Sequence, residues 1–222
     1  AMVTNNNLGD FNENSFSGKK IALFKDSFVK EFIEQRIKNA KIVEIEGGIK
    51  ELLNTLTNGE VDAIADYTAA LNFGIKENRL EDKIKISKVF NSDDLTGSNY
   101  GTTNKEPLLN SIINKAIASF TKEEIETIKT RWEGTLPSIL KKSEKLVFLT
   151  KEEELWLKEH PVIKYAGDPN YMPFESFDFK GNYIGIVANH LDFIEENLGI
   201  KIEILKTNSW RETLDFAKAN KV

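Results

Sequence analysis

Short apolar runs alternate with segments of helical periodicity along the first part of the chain. Runs at residues 21–24, 42–45 and 61–65 predict three buried strands, and residues 49–56 predict a helix between the last two. The first two runs are also separated by a predicted helix, whose inner face carries Phe28, Phe32, Ile33 and Ile37. This β-α-β-α-β order predicts an α/β fold with a parallel sheet and right-handed crossovers.

The other segments before residue 106 have weaker patterns. Residues 2–17 are polar and rich in asparagine, so we expect a loop that packs lightly. A helix is predicted around residues 67–75 and a strand over residues 84–89. Residues 91–103 have the composition of a loop.

Two helices are predicted after this loop. Pro107 opens the first, because proline is favoured in the first helical turn. Thr121 and Glu124 predict a capping box for the second, which runs through Trp132. Residues 134–145 are predicted to form a linker.

A second set of patterns begins near residue 149. Thr150 is a predicted N-cap, and the helix that it opens should end at His160, since Pro161 disfavours a helical residue before it. A strand at residues 162–166, an aromatic loop and a hairpin turning at residues 180–182 are predicted next.

Residues 162–222 repeat the opening plan of the chain. The predicted strand 162–166 corresponds to the strand at 21–24, a strand at 200–205 to that at 42–45, and the segment after Trp210 to that after Ile49. The hairpin is inserted in the second copy, which stops where its third strand should begin.

Composition narrows the class of protein. The chain of 222 residues has a net charge of -5 and no basic stripe, which argues against a nucleic-acid surface. It has no cysteine, hence neither disulfides nor thiolate metal sites, and no apolar stretch of membrane-spanning length. The N-terminus is not a signal peptide; we expect Ala1-Met2 to be a cloning remnant and any targeting signal or anchor to have been removed.

The segment 149–186 resembles the start of a family 3 solute-binding domain, the Venus-flytrap module found in tandem outside the membrane in bacterial sensor kinases and diguanylate cyclases. The matching positions are Leu149-Thr150, Glu153, Trp156-Leu157, 159–163, 168–171, 173–175, Gly181 and Gly185-Ile186. The resemblance implies a periplasmic-binding-protein type II-like fold of parallel-sheet β-α-β lobes.

The same resemblance predicts an incomplete tandem fragment. Residues 1–140 are similar to lobe two and the closing helices of a first module, residues 141–161 to a linker, and residues 162–222 to the opening half of lobe one of a second module. As an alternative, residues 162–222 pack on the closing helices at 107–132 and supply the lobe that the first half lacks.

Three candidate ligand contacts follow predicted strands of the first half. Ligands in open α/β sheets bind beyond the carboxyl ends of strands, where Asp66, Lys25 and Ser27 lie. In the family that the chain resembles, an acid at the position of Asp66 pairs with a ligand ammonium group, and the loop of Lys25 and Ser27 helps to hold a ligand carboxylate. The alternatives are that Asp66 and Ser27 are N-caps and that Lys25 is a solvated charge.

Three aromatic residues of the second half are the other candidates. Tyr171, Phe174 and Trp210 correspond to residues that line the flytrap cleft, although core packing is the alternative and is favoured for Phe174. Asp168 and Glu175 are expected to orient the aromatic loop by hydrogen bonds to backbone N–H groups. The arginine that clamps a ligand carboxylate in many family members is expected beyond Val222, and we expect Arg211 to face solvent rather than to replace it.

No catalytic or cofactor site is predicted. His160 and His190 lack motif partners, and neither a phosphate-binding glycine loop nor a zinc signature is present. The first hypothesis is an extracytoplasmic, periplasmic sensory segment of an inner-membrane protein, which binds a small polar ligand such as an amino acid and acts on a membrane-tethered output domain. The second hypothesis is a ligand-free structural or dimerisation relay, and the third is an enzyme on the flytrap scaffold. A second copy of the chain, in a homodimer, is a further candidate partner.

Overall fold

The computed structural model describes residues 1–7, 13–90, 99–133 and 147–222. They form two compact units. The first contains the described residues between Ala1 and Gly97 together with Asn170–Pro173, and the second contains the described residues between Ser98 and Pro169 together with Phe174–Val222. None of the helices in these ranges is long and apolar enough to cross a membrane.

The first unit is built on a five-stranded sheet with the strand order β3-β2-β4-β1-β5. The strands are β1 (Met2–Asn5), β2 (Lys20–Phe24), β3 (Lys41–Ile45), β4 (Ala63–Ala65) and β5 (Ile84–Lys88). The helices are α1 (Val29–Arg36), α2 (Ile49–Thr57) and α3 (Thr68–Glu77). Strand β2 pairs in parallel with β3 and β4, whereas β1 runs antiparallel to β4 and β5, so the predicted α/β class with a mainly parallel sheet is confirmed.

The prediction of a loop over residues 2–17 is wrong at its start. Strand β1 lies inside the sheet, with Val3 paired to Ile64 of β4 and Ile86 of β5, and both Met2 and Val3 are fully buried. A strand of four residues is too short for its apolar positions to be distinguished from a loop. Its partners lie some 60 to 85 residues away in the chain, so the local sequence carries no sign of them.

Helix α1 packs on the sheet through a face that differs by one residue from the prediction. Phe32, Ile33 and Ile37 are buried as predicted, but Phe28 is 54% exposed. Phe28 precedes the first helical residue and takes the N-cap position, while Val29 faces the core in its place.

The second unit contains most of the remaining elements. Its helices are α4 (Pro107–Ala118), α5 (Lys122–Glu133), α6 (Lys151–Glu159), α7 (Ile186–Leu198) and α8 (Trp210–Lys218). Its strands are β6 (Val162–Tyr165), β8 (Glu175–Phe177), β9 (Tyr183–Ile184) and β10 (Lys201–Ile204), while the two-residue strand β7 (Asn170–Tyr171) belongs to the first unit. Strands β6 and β10 are parallel, as β2 and β3 are, and β8 and β9 form the predicted hairpin.

The predicted caps of α5 and α6 are confirmed. Thr121 accepts from the N–H of Glu124, whose carboxylate accepts from the N–H of Thr121. Thr150 and Glu153 form the same reciprocal pair at the start of α6, and this helix ends at Glu159, one residue before its C-cap His160. The predicted linker at residues 134–145 lies outside the described residues.

The core of the second unit joins elements from both sides of that linker. Ala116 of α4 is buried with Leu191 and Ile194 of α7 and Ile202 of β10. Helix α4 therefore packs on the repeat that starts at β6, and α5 contacts it through the Trp132 indole N–H, which donates to the Asn189 Oδ1 of α7 at 2.9 Å.

Candidate functional site

The order of the strands gives the sheet of the first unit a topological switch point between β2 and β4, and the region beyond the carboxyl ends of these two strands is called the crevice. The chain leaves β2 through α1 to reach β3 on one side, and then returns through α2 to β4 on the other side of β2. The helices diverge where the order reverses, so ligands of open α/β sheets bind there, beyond the carboxyl ends of the strands. Here these are the ends of β2 and β4.

Asp66 is the first residue after β4 and lies at this crevice. Its Oδ1 accepts a hydrogen bond of 2.9 Å from the phenol of Tyr171, and the residue is only 3% exposed. The N-cap of α3 is Tyr67 rather than Asp66, so the alternative reading of Asp66 as that helix's cap is wrong. A buried carboxylate is costly unless hydrogen bonds satisfy it, and the Tyr171 phenol supplies one of them.

Tyr171 makes a second contact at the same place. Its ring meets that of Phe24, the last residue of β2, edge to face with 6.0 Å between the centroids. Tyr171 thus touches the residues that end or follow both strands of the switch point. Its neighbour Asn170 lies against Gly48, where an added Cβ would come within 2.3 Å of the Asn170 Nδ2.

Lys25 and Ser27 lie in the loop that follows β2. The Lys25 ammonium pairs with the carboxylate of Glu46 after β3, and both side chains are more than half exposed. An exposed pair of this kind contributes at most about 1 kcal/mol to stability. The Ser27 hydroxyl accepts from the N–H of Val29 at 3.2 Å, but the N-cap of α1 is Phe28, so the alternative reading of Ser27 as an N-cap is wrong.

The other two candidates, Phe174 and Trp210, lie in the second unit. Phe174 is half-buried, and its carbonyl accepts from the N–H of Val187 at 2.8 Å. Trp210 is the first residue of α8 and is 39% exposed. Arg211 faces solvent as expected, beside Asp215 of the same helix. The structure therefore brings Asp66 and Tyr171 together, while the ligand roles of all six candidates stay predictions.

A buried carboxylate organises the start of the aromatic loop in the second unit. Glu175 accepts from the N–H of Asp168 at 2.9 Å, as predicted, and also from the phenols of Tyr165 and Tyr183. Burial raises the pKa of both phenols, and the Glu175 charge raises it further. The phenols thus remain neutral donors to a charged acceptor.

Sequence reasoning missed three residues of the crevice, namely Phe24, Gly48 and Asn170. Gly48 and its neighbours Glu46 and Gly47 follow β3 directly. A pair of glycines at the carboxyl end of a predicted parallel strand was the available signal, since such positions allow another segment to approach the backbone closely.

Comparisons with known proteins agree with the flytrap resemblance. Residues of this chain are 28% identical over 120 positions to the Sensor protein EvgS of Escherichia coli K12, a match that spans 53% of this chain and 10% of that protein. The solved periplasmic domain of B. pertussis BvgS is 17% identical, with a TM-score of 0.49, over 100% of this chain and 42% of that one. The L-cystine solute receptor of Neisseria gonorrhoeae is 20% identical, with a TM-score of 0.36, over 42% of this chain and 37% of that one.

The chain spans only part of each protein that it matches. No family model matches it. It spans about a tenth of the sensor protein and less than half of the solved periplasmic domain. The predicted resemblance to bacterial sensor proteins is confirmed by the match to EvgS.

Proposed function

We propose that the chain is an extracytoplasmic, solute-binding sensory segment of a bacterial membrane signalling protein. Its binding site is the crevice beside Asp66, and its ligand is a small polar molecule such as an amino acid. The observation that carries the proposal is the position of Asp66, a buried carboxylate at the switch point of the sheet, in contact with an aromatic ring. Similarity to a sensor protein and to an L-cystine receptor supports it.

The residues at the crevice suit the two ends of an amino acid. The Asp66 carboxylate is an acceptor for an ammonium group, and a bond from that charged donor is stronger than the bond from the neutral phenol that it accepts here. Lys25 supplies a cation for a ligand carboxylate, with Ser27 in the same loop. The ligand roles of Phe174 and Trp210, which lie in the second unit, stay predictions.

Signalling follows from differential binding. A ligand that binds one conformation more tightly shifts the population toward it, and the shift is limited by the ratio of the two affinities. We propose that the segment lies in the periplasm as part of an inner-membrane protein, that a membrane-tethered output domain receives this change, and that a homodimer forms.

One observation favours a second candidate, a ligand-free structural relay. Asp66 is 3% exposed and already hydrogen-bonded to Tyr171, so the described residues alone keep its carboxylate from solvent. A relay needs no solute, and in a relay Tyr171 would stay hydrogen-bonded to Asp66.

A thermal-shift screen of the chain against amino acids and small organic acids separates the two candidates. A solute that binds the folded state at a hundredfold excess over its Kd adds about 2.7 kcal/mol of stability, which raises the Tm. The matched variants are Asp66→Asn at the crevice and Asp62→Asn at the opposite, amino end of β4. Solute binding predicts a shift in the Asp62→Asn protein and none in the Asp66→Asn protein. No shift with any solute in the folded wild-type chain would support the relay.

A further inference from the structure

We infer that the crevice beside Asp66 has a tethered occupant. Asn170 and Tyr171 fill it from within the chain, Gly48 is the residue that admits them, and a solute reaches the Asp66 carboxylate only by displacing the Tyr171 phenol. The displacement rests on the proposed function; the tethered contact does not.

The contacts of Tyr171 resemble those of a bound ligand. The phenol donates to a carboxylate oxygen that is otherwise out of reach of solvent, at 2.9 Å. The ring lies edge-on to Phe24 with an interplanar angle of 90°, a preferred arrangement for two aromatic rings. A polar group hydrogen-bonded to the acid and a flat ring packed against an aromatic residue are the two kinds of contact expected in a small-molecule site.

Gly48 provides independent support. Its φ of -109° and ψ of -169° are extended backbone values that any residue adopts, so its conformation does not require glycine. It is also the N-cap of α2, a position where serine, asparagine or aspartate would stabilise the helix more. The packing disfavours any larger residue in the present arrangement, because a Cβ would lie 2.3 Å from the Asn170 Nδ2 and 2.7 Å from its Cγ and would force that side chain to move. The sequence therefore forgoes a helix-capping side chain at the place where Asn170 enters.

Occupation of the crevice by Asn170 and Tyr171 weakens the apparent affinity of the site for a solute. If the crevice is open for only a fraction of the time, the apparent Kd of a solute equals its intrinsic Kd divided by that fraction. Weakening the tethered contact should then tighten solute binding, although it removes favourable contacts from the folded protein. A residue that merely lined the site would show the opposite behaviour.

A double-mutant cycle tests the tethered contact without any solute. The unfolding equilibrium constant is measured in urea for the wild type, Tyr171→Phe, Asp66→Ala and the double variant. We expect a coupling of about tenfold between the two sites. The cycle is repeated in a Gly48→Ala background, where the coupling should fall to near one, and in a Gly101→Ala background, where nothing lies within 4 Å of the added Cβ and the coupling should persist. A cycle without coupling in the wild-type background, or with equal coupling in all three, overturns the inference.

The displacement is tested with the proteinogenic amino acids as probes. Any amino acid that raises the Tm of the wild type should bind the Tyr171→Phe protein several-fold more tightly than the wild type. The control is Tyr100→Phe, a substitution in the second unit, which should leave the affinity unchanged. Equal or weaker binding to Tyr171→Phe overturns the displacement. If no amino acid binds any variant while the coupling is intact, the tethered contact is supported and the amino-acid ligand of the proposed function is contradicted.

Discussion

The ammonium of Lys115 on α4 lies 2.6 Å from the Oε2 of Glu153 on α6. The Glu153 carboxylate also accepts from the hydroxyl of Ser111 at 2.7 Å and from the N–H of Thr150 at 2.7 Å, and its side chain is 3% exposed. Glu153 belongs to the capping box of the family signature. The same residue that caps the start of α6 therefore also binds this helix to α4.

Because of the Glu153 carboxylate, we expect the stability of the second unit to fall as the pH is lowered. Burial alone would raise the pKa of Glu153, but the hydrogen bonds from Lys115, Ser111 and Thr150 outweigh it and lower the pKa to about 2. A lowered pKa stabilises the folded state above the unfolded value of about 4.5, and the contribution disappears as the pH falls through the folded value. We expect Glu153→Gln to cost roughly 2 to 3 kcal/mol at neutral pH, with the difference from wild type shrinking between pH 5 and pH 2.

Urea unfolding of both proteins across this pH range measures the difference. Glu152→Gln is the matched control, because its neighbouring carboxylate is exposed and should give less than about 1 kcal/mol at every pH. A difference for Glu153→Gln that stays constant from pH 7 to pH 2 would contradict the assigned role of the carboxylate.

The tyrosine cluster at Glu175 predicts behaviour in alkali. Burial, and then the charge of Glu175, raises the pKa of Tyr165 and Tyr183. An acid with a raised folded pKa stabilises the folded protein below its unfolded value, near 10, and destabilises it as the pH rises further. Glu175→Gln should lower both phenol pKa values toward normal, and should cost on the order of 2 kcal/mol at neutral pH because it removes a shared acceptor.

Ultraviolet titration of tyrosinate follows this change. In the wild type we expect Tyr165 and Tyr183 to ionise only with alkaline unfolding, and in the variant to ionise in part before it. The prediction fails if the two proteins give superimposable titration and unfolding curves.

Truncation of a side chain in strand β1 should strongly reduce stability, although the sequence pattern assigns this segment to a loop. Met2 is fully buried in the core of the first unit. Truncation of such a side chain costs about 2 to 5 kcal/mol, so Met2→Ala should lower the free energy of unfolding by that amount. Val89→Ala, at a residue 49% exposed, should cost less than about 1 kcal/mol in the same urea titration. Equal and small effects would show that β1 is not part of the folded core.

Much of the fold was predictable because its signals are local. The capping boxes at Thr121 and Thr150 need only residues three apart, and helix α2 follows from the spacing of its own apolar side chains. Phe28 was assigned to the core because helical spacing alone does not reveal that the helix begins one residue later.

The site was predictable only in part. Asp66 was identified because it follows a recognisable strand, and Tyr171 because it lies in the family signature. Their hydrogen bond joins residues 105 positions apart, which no periodicity or turn signal records. The same holds for Gly48, which lies against the side chain of Asn170.

Nuclear magnetic resonance of the 15N-labelled chain, titrated with the amino acids and organic acids of the thermal screen, tests the central claim most directly. Binding beside Asp66 predicts that a solute shifts the amide resonances of Ser27, Gly48, Asp66 and Tyr171, and that Asp66→Asn abolishes these shifts while Asp62→Asn preserves them. Shifts confined to other residues, or shifts that persist unchanged in the Asp66→Asn protein, would contradict a solute site at this crevice.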